Sequence, residues 1–427
     1  MKIYPIKKPI RCDIENIASD KSISHRCAIF SLLSDKPSRI RNYLQAEDTL
    51  NTLNIIKSLG CKVEIDNGEI IITPPTQIKE PNHILECGNS GTSMRIFMGL
   101  LSSVDGFFVL SGDKYLNERP MNRVGLPLID IGVQIYGREG GNKAPICIQG
   151  KKLKYFKYHS KIASAQVKTA LILAALRGEG CEFSEIELSR DHSEKMLLGM
   201  GADIVKNSLT LEVSPLKKPL KPLNIIVPND PSSAFFFALA AAIIPGSKIV
   251  LKNILLNKTR IEAYKILQKM GTNITFELKS SEYEDVGDIV VEYAPLKAIE
   301  VHENISWLID EAPALAIAFA NAKGKSILRN AKELRVKECD RIKATVDGLK
   351  NCGIEAEELD DGFKVVGGVA KLGNVDSWGD HRIAMSFAIL GIKCGMNLSG
   401  SKSINISFPN FKELLMSLGV KVENTTC

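Results

Sequence analysis

The chain predicts an α/β fold of two similar domains, each built from three βαβαββ units, and three observations carry that prediction. An amphipathic helix that ends in glycine and leads into a short strand recurs six times: LNIIKSLG-CKVEI, GLPLIDIG-VQIY, EKMLLGMG-ADIV, AYKILQKMG-TNITF, TVDGLKNCG-IEAEE and KELLMSLG-VKVE. A more apolar helix precedes each copy. A proline-rich stretch, Pro215 to Pro228, falls after the third copy. At 427 residues the chain also exceeds what one ordinary core organises, so length alone favours two domains.

The closing glycines are Gly60, Gly132, Gly201, Gly271, Gly353 and Gly419, roughly 70 residues apart. Glycine just past a helix end takes the left-handed conformation that terminates it. The apolar helices begin near Ser22, Gly91, Ala165, Ser232, Glu311 and His381. Runs such as FFFALAAAII and APALAIAFA are apolar on most sides, so these helices belong inside, enclosed by sheet and by neighbouring helices. Each unit reads strand, buried helix, strand, amphipathic helix, two strands. The N-terminal domain is expected over residues 15–225 and the C-terminal domain over residues 1–14 with 226–427. The first strand then joins the C-terminal domain, and the chain crosses near residues 14 and 226. A solenoid is the other home for repeats, but its usual period of about 20 to 50 residues is shorter.

Composition narrows the class. Hydrophobic residues at 44% with 24% charged residues describe a soluble globular protein. The longest apolar run, Ala234 to Pro245, is shorter than the roughly 18 residues of a membrane span. The N-terminus, MKIYPIKKPI, alternates like a strand and lacks a targeting pattern, so a cytoplasmic protein is expected. Ten cysteines include no C-x-x-C pair, and Cys27, Cys181 and Cys394 fall on apolar faces, where a thiol behaves as a small hydrophobe. The six histidines show no ligand spacing. Neither a metal nor a cofactor is expected. A net charge of +6 suits anionic metabolites as well as weak nucleic-acid binding.

Most of the buried helices begin in a polar or charged cluster: SDKSISHR (Ser19 to Arg26), GNSGTSMR (Gly88 to Arg95), ASAQVK (Ala163 to Lys168), NDPSS (Asn229 to Ser233), LIDEAP (Leu308 to Pro313) and WGDHR (Trp378 to Arg382). A helix N-terminus offers unpaired N–H groups and about half a positive charge, which attracts anions. Any one cluster reads as an ordinary N-cap. Capping does not call for Lys21 with Arg26, Arg95, Lys168 or Arg382 near the start of a helix, where the dipole disfavours cations unless anions offset them. Two further segments add charge. KYLNERPMNR puts Arg119 before a proline in a loop, and ELRVKECDR packs Arg335, Lys337, Glu338, Asp340 and Arg341 into one stretch, which alone reads as a self-paired surface run.

The ordered set KSISHR, GNSGTSMR, NERPM, SAQVKTA, IDEAP, ELRVKECDR and DHRIAM resembles the 3-phosphoshikimate 1-carboxyvinyltransferase (EPSP synthase) family of enolpyruvyl transferases over essentially the full length. SAQVK and SRDHSEKM look like the second of that family's two main sequence classes. The resemblance implies an inside-out α/β barrel in two domains, closing around substrate. It implies a shikimate 3-phosphate set of Lys21, Ser22, Arg26, Ser164, Ala165, Gln166, Arg190, Asp310 and Lys337. Here Ala165 replaces a serine of the other class, and Arg190 matches a class-specific phosphate partner. The matching phosphoenolpyruvate set is Lys21, Gly91, Arg119, Gln166, Arg341 and Arg382. Asp310, Glu338 and Lys21 match catalytic positions: Asp310 accepts the proton of the attacking 5-hydroxyl, and Glu338 gives or relays one to the methylene carbon. Asp310 has no cationic partner adjacent in the sequence. Expected partners are these two small molecules, with no nucleic acid or membrane, acting on a monomer. Gly91 implies room for glyphosate, since insensitive relatives often carry alanine there. One departure stands out: the family's lysine before a late Phe-Pro pair has no match, because Ile406 and Ser407 precede Phe408-Pro409 and the nearest lysine is Lys402.

Two other readings stay open at this level. The sister enzymes acting on UDP-N-acetylglucosamine share the fold and co-substrate, but typically have Lys-Asn where this chain has Lys21-Ser22 and a cysteine where it has Lys114. KKLKYFKYHSK (Lys151 to Lys161) interleaves basic and aromatic residues, as single-strand binders do, and equally reads as an exposed strand leading into the SAQ helix. For the enolpyruvyl reaction the residue types are apt. Adding an alcohol across an enol and then eliminating phosphate needs an acid for carbon and a base for oxygen. A carboxylate and a phosphate call for planar bidentate donors, which arginine supplies better than lysine.

Overall fold

The computed structural model of the chain describes residues 1–424. It divides into two compact units: the first covers Ser19–Val227, and the second combines Met1–Ala18 with the chain from Pro228 onward. The breaks after Ala18 and Val227 lie slightly beyond the expected crossings near residues 14 and 226.

Six four-stranded sheets share one pattern, a parallel pair extended by two antiparallel strands. In the first unit, Asn224–Ile226 runs parallel to Ser38–Arg41, which pairs with Glu69–Thr73 and through it with Lys62–Asp66. Leu85–Glu86 with Gly106–Ser111, and Phe156–Ser160 with Cys181–Glu185, open the other two sheets in the same way. In the second unit the parallel pairs are Arg11–Ile14 with Lys248–Leu255, Glu300–Val301 with Lys325–Leu328, and Gly373–Asp376 with Met396–Ser399. Lys2–Ile3 inserts between Met396–Ser399 and Val422–Glu423, so the start of the chain completes the last sheet.

Inside each set of three sheets lie three buried helices. In the first unit they are α1 (Lys21–Phe30), α2 (Gly91–Ser102) and α3 (Ala165–Arg177). In the second they are α4 (Pro231–Ile243), α5 (Ala312–Ala320) and α6 (His381–Cys394). Every residue of α4 and α5 is buried, which is why these runs carry no polar face. α2 and α3 touch backbone to backbone at Gly99, where a Cβ would lie 2.3 Å from the Cα of Ala170. The amphipathic helices run over Glu47–Ser58, Asn122–Asp130, His192–Gly199, Glu262–Lys269, Arg341–Asn351 and Phe411–Ser417. All six closing glycines have positive φ, from +75° at Gly353 to +114° at Gly271. Among the described residues no helix is long and apolar enough to cross a membrane.

Candidate active site

In the first unit the sequence clusters fall at the N-termini of the buried helices. Asp20 caps α1 by accepting from the Ile23 N–H at 2.7 Å, and Lys21 then pairs with the nearly buried Asp48 at 3.1 Å. Arg26, 3% exposed, is gripped on three sides: Nε donates to Ser193 Oγ (2.9 Å), Nη1 to the Ser22 carbonyl (3.1 Å) and Nη2 to Thr169 Oγ1 (3.1 Å). Ser90 caps α2 and Ser164 caps α3. Gln166 donates to Thr92 Oγ1 (3.2 Å) and accepts from Arg95 Nη1 (3.0 Å), which joins the starts of α2 and α3. The other end of Arg95 donates to the Pro120 carbonyl at 3.0 Å. Arg119 follows a short 3-10 turn, Leu116–Glu118, and donates to Asn89 Oδ1 at 2.6 Å. The geometry thus brings Gly91, Arg119 and Gln166 into one neighbourhood, linked through Arg95 and Asn89.

In the second unit Arg341 is the centre. It is 2% exposed, and three carboxylates surround it: Asp380 on Nε (2.8 Å), Glu338 on Nη2 (2.7 Å) and Asp310 near Nη1 (3.6 Å). Burial works against its charge, but Asp380, Glu338 and Asp310 outweigh it and raise its pKa above the ordinary arginine value. Asp310, expected without a cationic neighbour, therefore has one. The partner comes from a segment distant in sequence, so adjacency could not reveal it. Asp380 also caps α6, accepting from the Arg382 and Ile383 N–H groups at 2.7 and 3.2 Å. Trp378, just upstream, holds a left-handed φ of +52°, a strained value for a bulky residue. Arg382 is 7% exposed, and its Nη1 is buried without a hydrogen-bond partner, as is Nη1 of Arg341. A buried guanidinium nitrogen left unmatched is costly and marks a place for an acceptor.

Other expectations meet the structure differently. Lys168 is not a cation offered to a ligand, because its ammonium is sunk between Glu185 and Glu194, 2.8 Å from each. In ELRVKECDR, Arg335 pairs with Asp340 and Glu358, and Lys337 with Glu333 at 2.7 Å, so part of that run is self-paired. The start of α4 is filled by Arg260, which is buried against Asp230 at 3.0 Å. Lys151 to Lys161 contains the strand Phe156–Ser160, whose Lys157 and His159 contact Glu182 and Ser184 of the next strand. Lys402 lies in a 3-10 helix, Ser401–Ile406. Asp48 lies outside every quoted motif, and Thr169, Ser193 and Glu194, though inside SAQVKTA and SRDHSEKM, were given no role there because their partners across the unit are reached only by tertiary contact. Asn89 and Asp380 sit inside the quoted clusters and read there as caps. Among the described residues no group of three or more His, Cys, Asp or Glu could hold a metal ion, and the cysteines are free.

Helix triplets enclosed by sheets, with arginines and carboxylates at the helix starts, define a class. The fold is shared with the enolpyruvyl transferase NikO from Streptomyces tendae (TM-score 0.80, 16% identity, 100% of this chain and 98% of that one), a likeness that concerns the fold alone. The chain is also similar to the EPSP synthase from Acinetobacter baumannii, with TM-score 0.88 and 36% identity over 99% of each chain. It is 65% identical over 428 residues to the 3-phosphoshikimate 1-carboxyvinyltransferase of Campylobacter concisus, covering 100% of both chains. To that of Campylobacter hominis it is 66% identical over 424 residues, 99% of this chain and 100% of the relative. The family model for EPSP synthase (3-phosphoshikimate 1-carboxyvinyltransferase) matches residues 5–415. The chain belongs to the EPSP synthase family.

Proposed function

We propose that the residues matched above to shikimate 3-phosphate and phosphoenolpyruvate hold those substrates in this chain, with Asp310 as base and Glu338 as acid. The chain is an enzyme that transfers the enolpyruvyl group of phosphoenolpyruvate to the 5-hydroxyl of shikimate 3-phosphate, releasing phosphate. The observation that most supports the residue assignment is the buried Arg382 Nη1, which has no hydrogen-bond partner, together with Arg341 Nη1, held only by the longer 3.6 Å ion pair to Asp310; two such guanidinium nitrogens suit the carboxylate and phosphate of phosphoenolpyruvate.

In this reading Glu338 protonates the methylene carbon, the cationic centre is attacked by the 5-hydroxyl, and Asp310 takes the hydroxyl proton. The tetrahedral adduct then collapses: Glu338 takes a proton back from the methyl carbon as the C–O bond to phosphate breaks, and Asp310 gives its proton to the departing phosphate, so each carboxyl group returns to its starting state. Both carboxylates meet the Arg341 guanidinium, so the proposed acid and base are held in one place by one side chain. Free thiols throughout the described cysteines suit a reducing compartment, and we place the enzyme in the cytoplasm.

Phosphate release is the test. It should require phosphoenolpyruvate together with shikimate 3-phosphate and should not occur with UDP-N-acetylglucosamine as acceptor. The opposite preference would overturn the assignment.

A further inference from the structure

Lys168 carries a charge deep inside the first unit, and the residues around it lead to Arg26 and Arg190, both matched above to shikimate 3-phosphate. Its side chain is 1% exposed, and those of Glu185 and Glu194 are each 3% exposed. The ammonium donates to Glu185 Oε1 (2.8 Å) and to the Ser189 carbonyl (3.3 Å), with Glu194 Oε1 at 2.8 Å. Ser189 ties back to Glu185 through its own N–H (3.2 Å) and Oγ (2.6 Å). Burying three charges costs more hydration than their attraction reliably returns, so stability is a weak reason for such a cluster.

Its geometric effect is definite. Glu185 ends the strand Cys181–Glu185, and Glu194 lies in the first turn of His192–Gly199. The ammonium therefore fastens both ends of the intervening segment to α3. The carbonyl it holds belongs to the peptide bond between Ser189 and Arg190. One residue after Lys168 and one residue before Glu194, Thr169 and Ser193 hydrogen-bond to each other at 2.5 Å, and both accept from Arg26. Lys168–Glu194 and Thr169–Ser193 are successive rungs between the same two helices. We propose that Lys168, held by Glu185 and Glu194, is a positioning residue that sets Arg26 and Arg190 for the acceptor shikimate 3-phosphate. This rests on the assignment of those two arginines to shikimate 3-phosphate.

The measurement is the dissociation constant of shikimate 3-phosphate by calorimetry, with circular dichroism and the KM for phosphoenolpyruvate as checks. Arg190→Ala tests the underlying assignment: it should weaken binding about tenfold or more, and an unchanged constant there removes the assignment itself. Given that loss, Lys168→Met should also weaken binding about tenfold while leaving the KM for phosphoenolpyruvate within about twofold. The double variant should lose less than the product of the two single losses, because Lys168 acts partly through Arg190. Glu194→Gln separates position from charge and keeps the side-chain shape should Lys168→Met not fold. Removing a carboxylate near a phosphate tightens binding by electrostatics alone, whereas losing the tie weakens it. Weaker binding in Glu194→Gln supports the proposal. Unchanged or tighter binding there, or a fully multiplicative loss in the double variant, overturns it.

Discussion

Around Arg341 a single buried guanidinium meets Asp310, Glu338 and Asp380, and the proposed acid and base are thereby placed on one side chain. Replacing Asp310 with asparagine keeps the shape but removes the proton acceptor. Asp310→Asn should lower kcat by about 10² to 10⁴ while leaving the dissociation constant of shikimate 3-phosphate within about threefold. Turnover within threefold of the parent would take Asp310 out of the mechanism. Gly91 poses a steric question. A Cβ there would lie 2.9 Å from Arg95 Nη1, and Arg95 is not free to swing away, because Gln166 and the Pro120 carbonyl hold it. Gly91→Ala should therefore disturb Gln166 and the Arg119 loop together. A one-methyl clash costs about 1 to 3 kcal/mol, roughly tenfold or more in affinity. The KM for phosphoenolpyruvate should rise and glyphosate inhibition should weaken still further; equal inhibition curves for the two proteins would show that Gly91 does not line that subsite.

Between elements, His25 is the buried joint. It belongs to α1, its Nδ1 meets Thr52 Oγ1 of Glu47–Ser58 at 2.7 Å, and it also contacts Ser90 and Ser93 at the start of α2. Burial depresses its pKa to about 3, with Lys21 and Arg26 adding to that effect and Asp48 opposing it. The native state thus binds its proton less readily than the unfolded chain. Its contribution is complete above the unfolded pKa of about 6.5 and is lost as pH falls from there toward about 3, by at most ~1.4 kcal/mol per pH unit. Urea midpoints should fall more steeply between pH 7 and pH 5 in the parent than in His25→Asn, and parallel falls would contradict this account. The helix ends test a simpler principle. Gly201 has φ +92°, and no atom lies within 4 Å of a Cβ built there, so Gly201→Ala isolates backbone strain from crowding. It should destabilise by about 1 to 2 kcal/mol by urea unfolding, with kcat/KM unchanged. These glycines made the elements legible in the sequence, since a local requirement on φ needs no tertiary information. His25 was not legible, because its three partners come from two other segments, Glu47–Ser58 and the start of α2.

Across the whole molecule, the repeat was readable because each copy carries its own terminator and its own apolar helix. The starts of α2, α3 and α6 fall at the anticipated residues, and those of α1, α4 and α5 one residue away. The charge network was less readable. Lys168 looked like a ligand cation and is instead locked between Glu185 and Glu194, a fact that rests on contacts between strand and helix ends. What remains is how two units serve one acceptor. The contacts proposed for shikimate 3-phosphate are divided between the units, with Lys21, Ser164 and Gln166 in the first and Asp310 and Lys337 in the second. A ligand held by contacts from both units would favour whichever arrangement of the units lets it make all of them, and its binding energy would stabilise that arrangement. Saturating shikimate 3-phosphate should accordingly reduce the radius of gyration measured by small-angle scattering, and Asp310→Ala with Lys337→Ala should blunt that change while the first unit still binds the ligand. A radius unaffected by saturating ligand would mean that the free protein already holds its units in the bound arrangement, and the energy of the second unit's contacts would then appear in affinity alone.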